Sequence, residues 1–436
     1  MTLRKTTKIL HAADIHLDSP LLRLESYPGA PVEKIRSATR KALTNLIDLA
    51  VAQEVDLVVI AGDLYDGDWN EFSTGLHFVN EATRLIQAGI PMVVIRGNHD
   101  AQSVMTQSLP LPRNPDGSAI MLNHHAVDQR IFEDIGVVVH GRSFPKKAVT
   151  EDLSLGYPAP IRGLFNLGLL HTSLTGADGH DNYSPCQPDQ LQDKGYDYWA
   201  LGHIHDRREC HRPGETPIVF SGNIQGRNIR EVGAKGCLVI SIGDDLQPVS
   251  VFHALDVVRW QVFHHDITHD QRRDDLFEAF ADWLPSELER SDGRPLAVRV
   301  NLIGVSALSH DYFRHADSVA HELRSVTNQR GGGDVWFENL KVRASAPRQV
   351  VAQPDDVTNE APHDSILHVI DSIRNDSALR DEMIQPLKRL WSKLPPELTH
   401  HASDPFRLDD TDLVLGWLEA VEPILMEHFH SHEAAN

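Results

Sequence analysis

The sequence predicts an α/β protein: two packed β-sheets with helices outside them, then a small α/β domain, then a helical C-terminal region. Three observations predict it. Short apolar runs rich in Val and Ile alternate with stretches whose apolar residues recur at three- and four-residue spacing. Several of these runs end in small residues followed at once by Asp, Asn or His. At 436 residues the chain is also too long for one ordinary domain.

Residues 8–13 read as a strand, followed by Asp14-Ile15-His16-Leu17-Asp18. A helix is expected over 33–53, with Ile35, Leu43, Leu46, Ile47, Ala50 and Val51 mostly on one face. Residues 56–61 are too few and too β-branched for a helix; they read as a buried strand ending at Gly62-Asp63. A second helix is expected over 71–87, and a strand over 90–95 ending in Arg96-Gly97-Asn98-His99-Asp100. This β-α-β-α-β order implies parallel strands. After a Pro-rich loop at 109–117, strands are expected at 136–140 and at 162–170, the second ending at His171-Thr172-Ser173. A polar loop, 176–188, leads into a short helix. A strand at 196–201 then ends at Gly202-His203-Ile204-His205, and further strands follow at 218–220, 237–242 and 248–253. This second half reads as richer in hairpins. Residues 1–255 thus form one expected domain, and 256–344 a second with strand-helix-strand-helix-strand order, its helices at 271–284 and 310–326. Residues 345–362, with Pro347, Pro354 and Pro362, read as a linker, and 363–436 as two or three helices.

Bulk properties restrict the function. The net charge of −21 argues against a purely electrostatic nucleic-acid binder, although a local cationic site on an acidic protein remains compatible with it. Cys186, Cys210 and Cys237 form no CxxC pair and read as reduced thiols of a cytoplasmic protein. No apolar stretch follows the basic N-terminus, so no signal peptide is expected. Apolar runs fall far short of the ~20 residues needed to span a bilayer, so no membrane association is expected.

The strand-end residues Asp14, His16, Asp63, Asn98, His99, His171, His203 and His205 carry the chemistry. A buried Asp63 beside an apolar strand is costly unless paired or metal-bound. Residues at the ends of parallel strands converge in the loops outside the sheet. Apart from His99, the set offers four imidazoles, two carboxylates and one amide, which suits Mn²⁺, Fe²⁺ or Zn²⁺ better than Ca²⁺. That exceeds one tetrahedral site; a carboxylate bridging two ions ~3.5–4 Å apart would use them all. In Asp14-x-His16 and His203-x-His205, an extended backbone would aim both side chains one way. Gly97 permits a sharp turn, and Asn98 offers a neutral oxygen, which leaves His99 pointing toward substrate.

These motifs resemble the calcineurin-like metallophosphoesterase superfamily, and within it the SbcD-type DNA repair exonucleases. The second likeness rests on Ser19-Pro20-Leu21, on Ser221-Gly222-Asn223-Ile224-Gln225-Gly226-Arg227-Asn228, on Lys235-Gly236 and on the cap-like domain after Asp256. The resemblance implies a four-layer αββα sandwich with a small α/β cap. It implies two divalent metal ions, Mn²⁺ with Fe²⁺ or Zn²⁺ as alternatives. Asp14, His16, Asp63 and His205 would hold one ion, and Asp63, Asn98, His171 and His203 the other. His99 would stabilise the transition state or protonate the leaving oxygen. DNA as substrate, an SbcC-like coiled-coil ATPase as partner and a homodimer are implied in the same way. Nucleases of this type carry His in a Gly-Asp-Leu-Phe-His pattern where this chain has Asp66.

Arg227 and Arg230 are candidates to grip a phosphodiester, with salt bridges as the alternative. His264-His265 and His400-His401 read as surface histidines, and Trp336 and Phe337 as core residues more than base-stacking ones. Three functions fit: a Mn²⁺-dependent DNA exonuclease, a phosphodiesterase or phosphatase on a small or nucleotide substrate, and a non-catalytic metal-containing subunit docking an ATPase.

Overall fold

The computed structural model describes residues 6–19, 32–66, 72–102, 110–175 and 182–347, and short stretches between 370 and 421. Pro20-Leu21, Gly67-Asp68, His400-His401 and most of the expected linker lie outside the described residues. Contacts divide the chain into two compact units, 1–345 and 346–436. In the second, the described residues include a short helical stretch at 370–374.

The first unit opens with β1 (Thr7–Ala12), α1 (Val32–Ala52), β2 (Leu57–Ile60), α2 (Phe72–Gln87) and β3 (Met92–Val94). There follow β4 (Asp128–Phe132), β5 (Val137–Gly141), β6 (Phe165–His171), the short helix α3 (Pro188–Gln192) and β7 (Tyr198–Gly202). Next come β8 (Arg208–Glu209), β9 (Ile218–Phe220), β10 (Gly236–Ile242) and β11 (Pro248–Ala254). One sheet has the order β11-β10-β1-β2-β3, and the other β4-β5-β6-β7-β9-β8.

Side-chain alternation decides how these sheets stack. In β2, Leu57 and Val59 point into a core shared with Val137, Val139, Leu167, Leu169 and Tyr198 of the other sheet. Val58 and Ile60 point the opposite way, against Leu43, Leu46, Ala50, Phe78 and Leu85 of α1 and α2. The far face of the second sheet packs Leu170, Trp199 and Phe220 on Phe144, Leu153 and Leu191. A strand buried on both faces must be apolar throughout, which is why these runs read so plainly.

The next elements are β12 (Arg259–Asp266), α4 (Asp274–Arg290), β13 (Leu296–Ile303), α5 (Ser309–Arg314), α6 (Ala316–Gly331) and β14 (Val335–Val342). Their parallel sheet, β12-β13-β14, packs Phe263, Val298 and Phe337 on Leu276, Phe280 and Leu323. Phe337 is therefore a core residue. Trp336 is buried edge-on to Trp260, and both pack with Ile35 of α1. No helix among the described residues is long and apolar enough to cross a membrane.

Some elements differ from the sequence expectation. β4, with the polar sequence Asp128-Gln129-Arg130-Ile131-Phe132, was not anticipated; an edge strand pairs by backbone bonds and needs no apolar face. The second half is richer in hairpins, with antiparallel pairs β4–β5, β8–β9 and β10–β11, but β5, β6, β7 and β9 run parallel to one another. Its crossovers are irregular or short, and they carry no 3.6-residue signal. The β10–β11 hairpin instead joins the first sheet, with β10 antiparallel to β1. α4 runs through Pro285 to Arg290, beyond the end expected at 284. The helix expected over 310–326 is broken at His315 into α5 and α6.

His11 of β1 is fully buried between the sheets, 3.3 Å from the Tyr198 hydroxyl and 3.3 Å from the Leu201 carbonyl. Burial lowers its pKa from 6.5 to about 3, against a smaller raising effect from the Leu201 carbonyl. The folded state therefore keeps this imidazole neutral, while the unfolded chain takes up a proton below pH 6.5. Its contribution is lost as pH falls from 6.5 toward 3, at up to ~1.4 kcal/mol per pH unit. His11→Gln is expected to reduce the acid slope of stability in urea titrations at a series of pH values; an unchanged slope would refute this.

Candidate metal centre

Five loops leave the C-terminal ends of β1, β2, β3, β6 and β7 and converge between the two sheets. The first two are zipped together: Asp14 N donates to Gly62 O at 3.0 Å, His16 N to Asp63 O at 3.0 Å, and Leu17 N to Leu64 O at 2.9 Å. The backbone here is not extended as the alternate spacing suggested. Asp14, His16, Asp63 and His203 have φ of 52°, 46°, 54° and 102°, in the left-handed region that non-glycine residues avoid. Each such residue costs on the order of 1–3 kcal/mol, and their clustering marks a site whose surroundings over-determine it. Close approach also explains two glycines. A Cβ on Gly97 would overlap the Asp63 carboxylate, and one on Gly202 would overlap the Ala61 carbonyl.

The side chains form overlapping groups. Asp14, His16 and His205 each offer a ligand atom within 4.8 Å of the others, as do Asp63, His171 and His203, and the trio His16, Asp63 and His99 shares a member with each. Asp63 lies between them, with Oδ2 3.8 Å from His16 Nε2 and 3.5 Å from His171 Nε2. Its other oxygen accepts the His99 backbone N–H at 3.0 Å. Asp14 accepts the His203 N–H at 3.0 and 3.1 Å. Asn98 Oδ1 stands 2.9 Å from His171 Nε2. The structure thus brings all seven predicted ligand residues together, with His99 beside them.

The donor set fits divalent cations on physical grounds. His171 Nδ1 lies 2.8 Å from the Ala61 carbonyl; donation there leaves a lone pair on Nε2, facing the Asn98 oxygen. His205 Nδ1 lies 2.8 Å from Glu231, so its Nε2 faces His16 Nε2 at 3.2 Å with a lone pair as well. At His171 and Asn98, acceptor facing acceptor is repulsive until a cation lies between. Burial, then the Asp63 charge, pushes the Asp14 carboxyl well above its usual range; burial likewise raises Asp63. Cations would relieve both carboxylates.

Several partners of the site were not assigned from sequence. Asp66 Oδ1 lies 2.8 Å from His99 Nδ1. Burial alone would raise the Asp66 carboxyl, but contacts with His16, His99 and Arg227 hold it well below the carboxylate range. Burial would lower His99; the carboxylates of Asp63 and Asp66 outweigh it and raise the pKa to about 9. The His99 side chain is 33% exposed, against 2% or less for His16, Asp63 and His171, so it is the accessible edge of the cluster. Asp100 accepts backbone N–H groups from Leu64, Tyr65 and Gly97, bracing two of the loops. Arg227 Nη2 meets Glu231 at 2.9 Å, and Nη1 meets Asp66 at 3.5 Å. Arg230 is exposed. His265 pairs with Asp270 at 2.8 Å, away from these groups. Glu231 carried no sequence signal, because a lone Glu in a loop has none.

Residues 7–207 match the family described as calcineurin-like phosphoesterase, and 260–345 match the middle domain described for the metallophosphoesterase YhaO. The chain is 32% identical over 301 residues to the uncharacterized metallophosphoesterase YhaO of Bacillus subtilis, covering 68% of this chain and 72% of that protein. It is 27% identical over 250 residues to the DNA double-strand break repair protein Mre11 of Sulfurisphaera tokodaii, covering 56% of this chain and 62% of that protein. A dimetal phosphatase structure from Danio rerio aligns with 7% identity and a TM-score of 0.34, covering 57% of this chain and 99% of that one. With the strand-end loops in place and the relationship to YhaO extending through most of both proteins, the chain belongs to the calcineurin-like metallophosphoesterases.

Proposed function

We propose that Asp14, His16, Asp63 and His205 hold one divalent ion, that Asp63, Asn98, His171 and His203 hold a second, and that the chain is a Mn²⁺-dependent phosphodiester hydrolase acting on DNA as an SbcD-type exonuclease. The observation that carries the two-ion reading is Asp63, whose carboxylate faces a ligand group on either side. When bound, the ions supply positive charge to the phosphoryl oxygens and lower the pKa of water. The chain's own groups do the rest. The His99 N–H turns one oxygen of Asp63 away and leaves the other facing the imidazoles. Asp66 holds the proton on His99 Nδ1 and stabilises the imidazolium, so the opposite nitrogen is set to give a proton to the leaving oxygen. The DNA assignment draws on the Mre11 relatives, described as DNA double-strand break repair proteins, and an SbcC-like coiled-coil ATPase, a homodimer and a cytoplasmic setting go with it.

A second reading, hydrolysis of a small or nucleotide phosphoester, is favoured by Asp66. It stands where the DNA nucleases carry His, and it engages both His99 and Arg227. The net charge of −21 weighs the same way.

Asp63→Asn is expected to lower metal-dependent hydrolysis more than ~100-fold and to reduce bound metal by elemental analysis; unimpaired turnover would refute the bridging role. His99→Ala is expected to retain both ions while turnover drops ~10²–10⁴-fold, and metal loss in that variant would refute the division of roles. With Mn²⁺, linear duplex DNA, single-stranded DNA and bis-nitrophenyl phosphate separate the substrates. Release of nucleotides from DNA ends supports the exonuclease; turnover of the small diester alone selects the second reading. No turnover by a metal-loaded protein would leave the non-catalytic docking subunit.

A further inference from the structure

The segment between β9 and β10 touches both the metal-ligand cluster and the 256–344 segment. Of its polar side chains, Asn223, Gln225, Glu231 and Lys235 are buried. Gln225 donates to the Val258 carbonyl at 2.7 Å and accepts from Val257 N at 2.6 Å. The Gly226 carbonyl accepts from Trp260 Nε1 at 2.9 Å, and Gly233 N donates to the Trp260 carbonyl at 2.9 Å. Thus anchored, the loop carries Glu231 to the site. One carboxylate oxygen of Glu231 accepts from Asn223 Nδ2 at 2.9 Å and from Arg227 N at 2.7 Å. The other oxygen faces His205 Nδ1 at 2.8 Å and Arg227 Nη2 at 2.9 Å.

We propose that Glu231 is a positioning residue: its carboxylate fixes the ring and tautomer of His205, so that Nε2 is the nitrogen presented beside His16 and Asp14. Arg227 ties the same carboxylate to the Asp66–His99 pair. Two contacts compete for His205 Nδ1, the Glu231 acceptor at 2.8 Å and the Arg227 Nη2 donor at 3.2 Å. The carboxylate prevails, being nearer and anionic, while the guanidinium already donates to that carboxylate. A carboxylate behind a ligating imidazole makes it more basic and locks its orientation, and losing such a support typically costs ~10–100-fold in metal affinity. This reassigns Arg227. Its charge is shared between Glu231 and Asp66, so it orders the site instead of waiting for substrate.

The inference rests on the two-ion reading, and one experiment separates the two. Mn²⁺ binding to the full chain is followed by calorimetry and electron paramagnetic resonance, for the wild type, Glu231→Gln and Glu231→Ala, with thermal denaturation as a check on folding. A wild type that binds no Mn²⁺ overturns the two-ion reading and this inference with it. If the wild type binds two equivalents, folded Glu231→Gln is expected to bind one of them ~10–100-fold more weakly, with the other within about threefold of wild type. Glu231→Ala, if folded, is expected to show a loss at least as large at the same equivalent. Wild-type affinity at both equivalents in Glu231→Gln, or equal weakening of both, overturns the positioning role in favour of a purely structural one. Should Glu231→Ala fail to fold, Glu231→Gln alone decides.

Discussion

The structure around the site depends on one constraint: the carboxylate of Asp63 is buried at the end of a strand buried on both faces. An isolated charge there would be expensive, and a second carboxylate, Asp14, lies close enough to raise the cost. Neighbouring features can be read as responses. The two loops pair backbone to backbone, so that Asp14 and His16 can adopt left-handed conformations without losing hydrogen bonds. Gly97 and Gly202 have no side chain because Asp63 and Ala61 occupy that space. His99 supplies a backbone N–H to one Asp63 oxygen, and Asp100 braces the loops on either side.

The same constraint explains which parts were legible in the sequence. Strands buried on both faces must be apolar, so β1, β2, β3, β6 and β7 were readable, and so were the polar residues that end them. The ligand candidates were found for that reason: Asp, Asn and His are conspicuous directly after Val and Ile. β4 and β8, at the edges of the second sheet, needed no apolar pattern and left none. The left-handed backbone at Asp14, His16 and His203 was also invisible, because it is imposed by pairing with residues far along the chain. Asp66 was noticed as a departure from a pattern, but its contact with His99 depends on where two loops meet. Glu231 had no local signal; it acquires meaning from His205, twenty-six residues away.

Arg227 and His99, cationic groups touching the cluster, are both already paired with its carboxylates. Asp14, Asp63, Asp66, Asp100 and Glu231 crowd the site; Arg227 is held by Glu231 and Asp66, and His99 by Asp66. A phosphoester approaching such a surface on a chain of net charge −21 meets repulsion. Ions between the imidazoles and carboxylates would reverse the local sign and at the same time relieve the buried acids. Under the two-ion reading, metal loading and substrate attraction would be one electrostatic event in this site. What His99 adds is a protonated edge held by Asp66 at the accessible side of the cluster. In the proposed reading, a leaving oxygen would be reached there without disturbing the buried groups behind it.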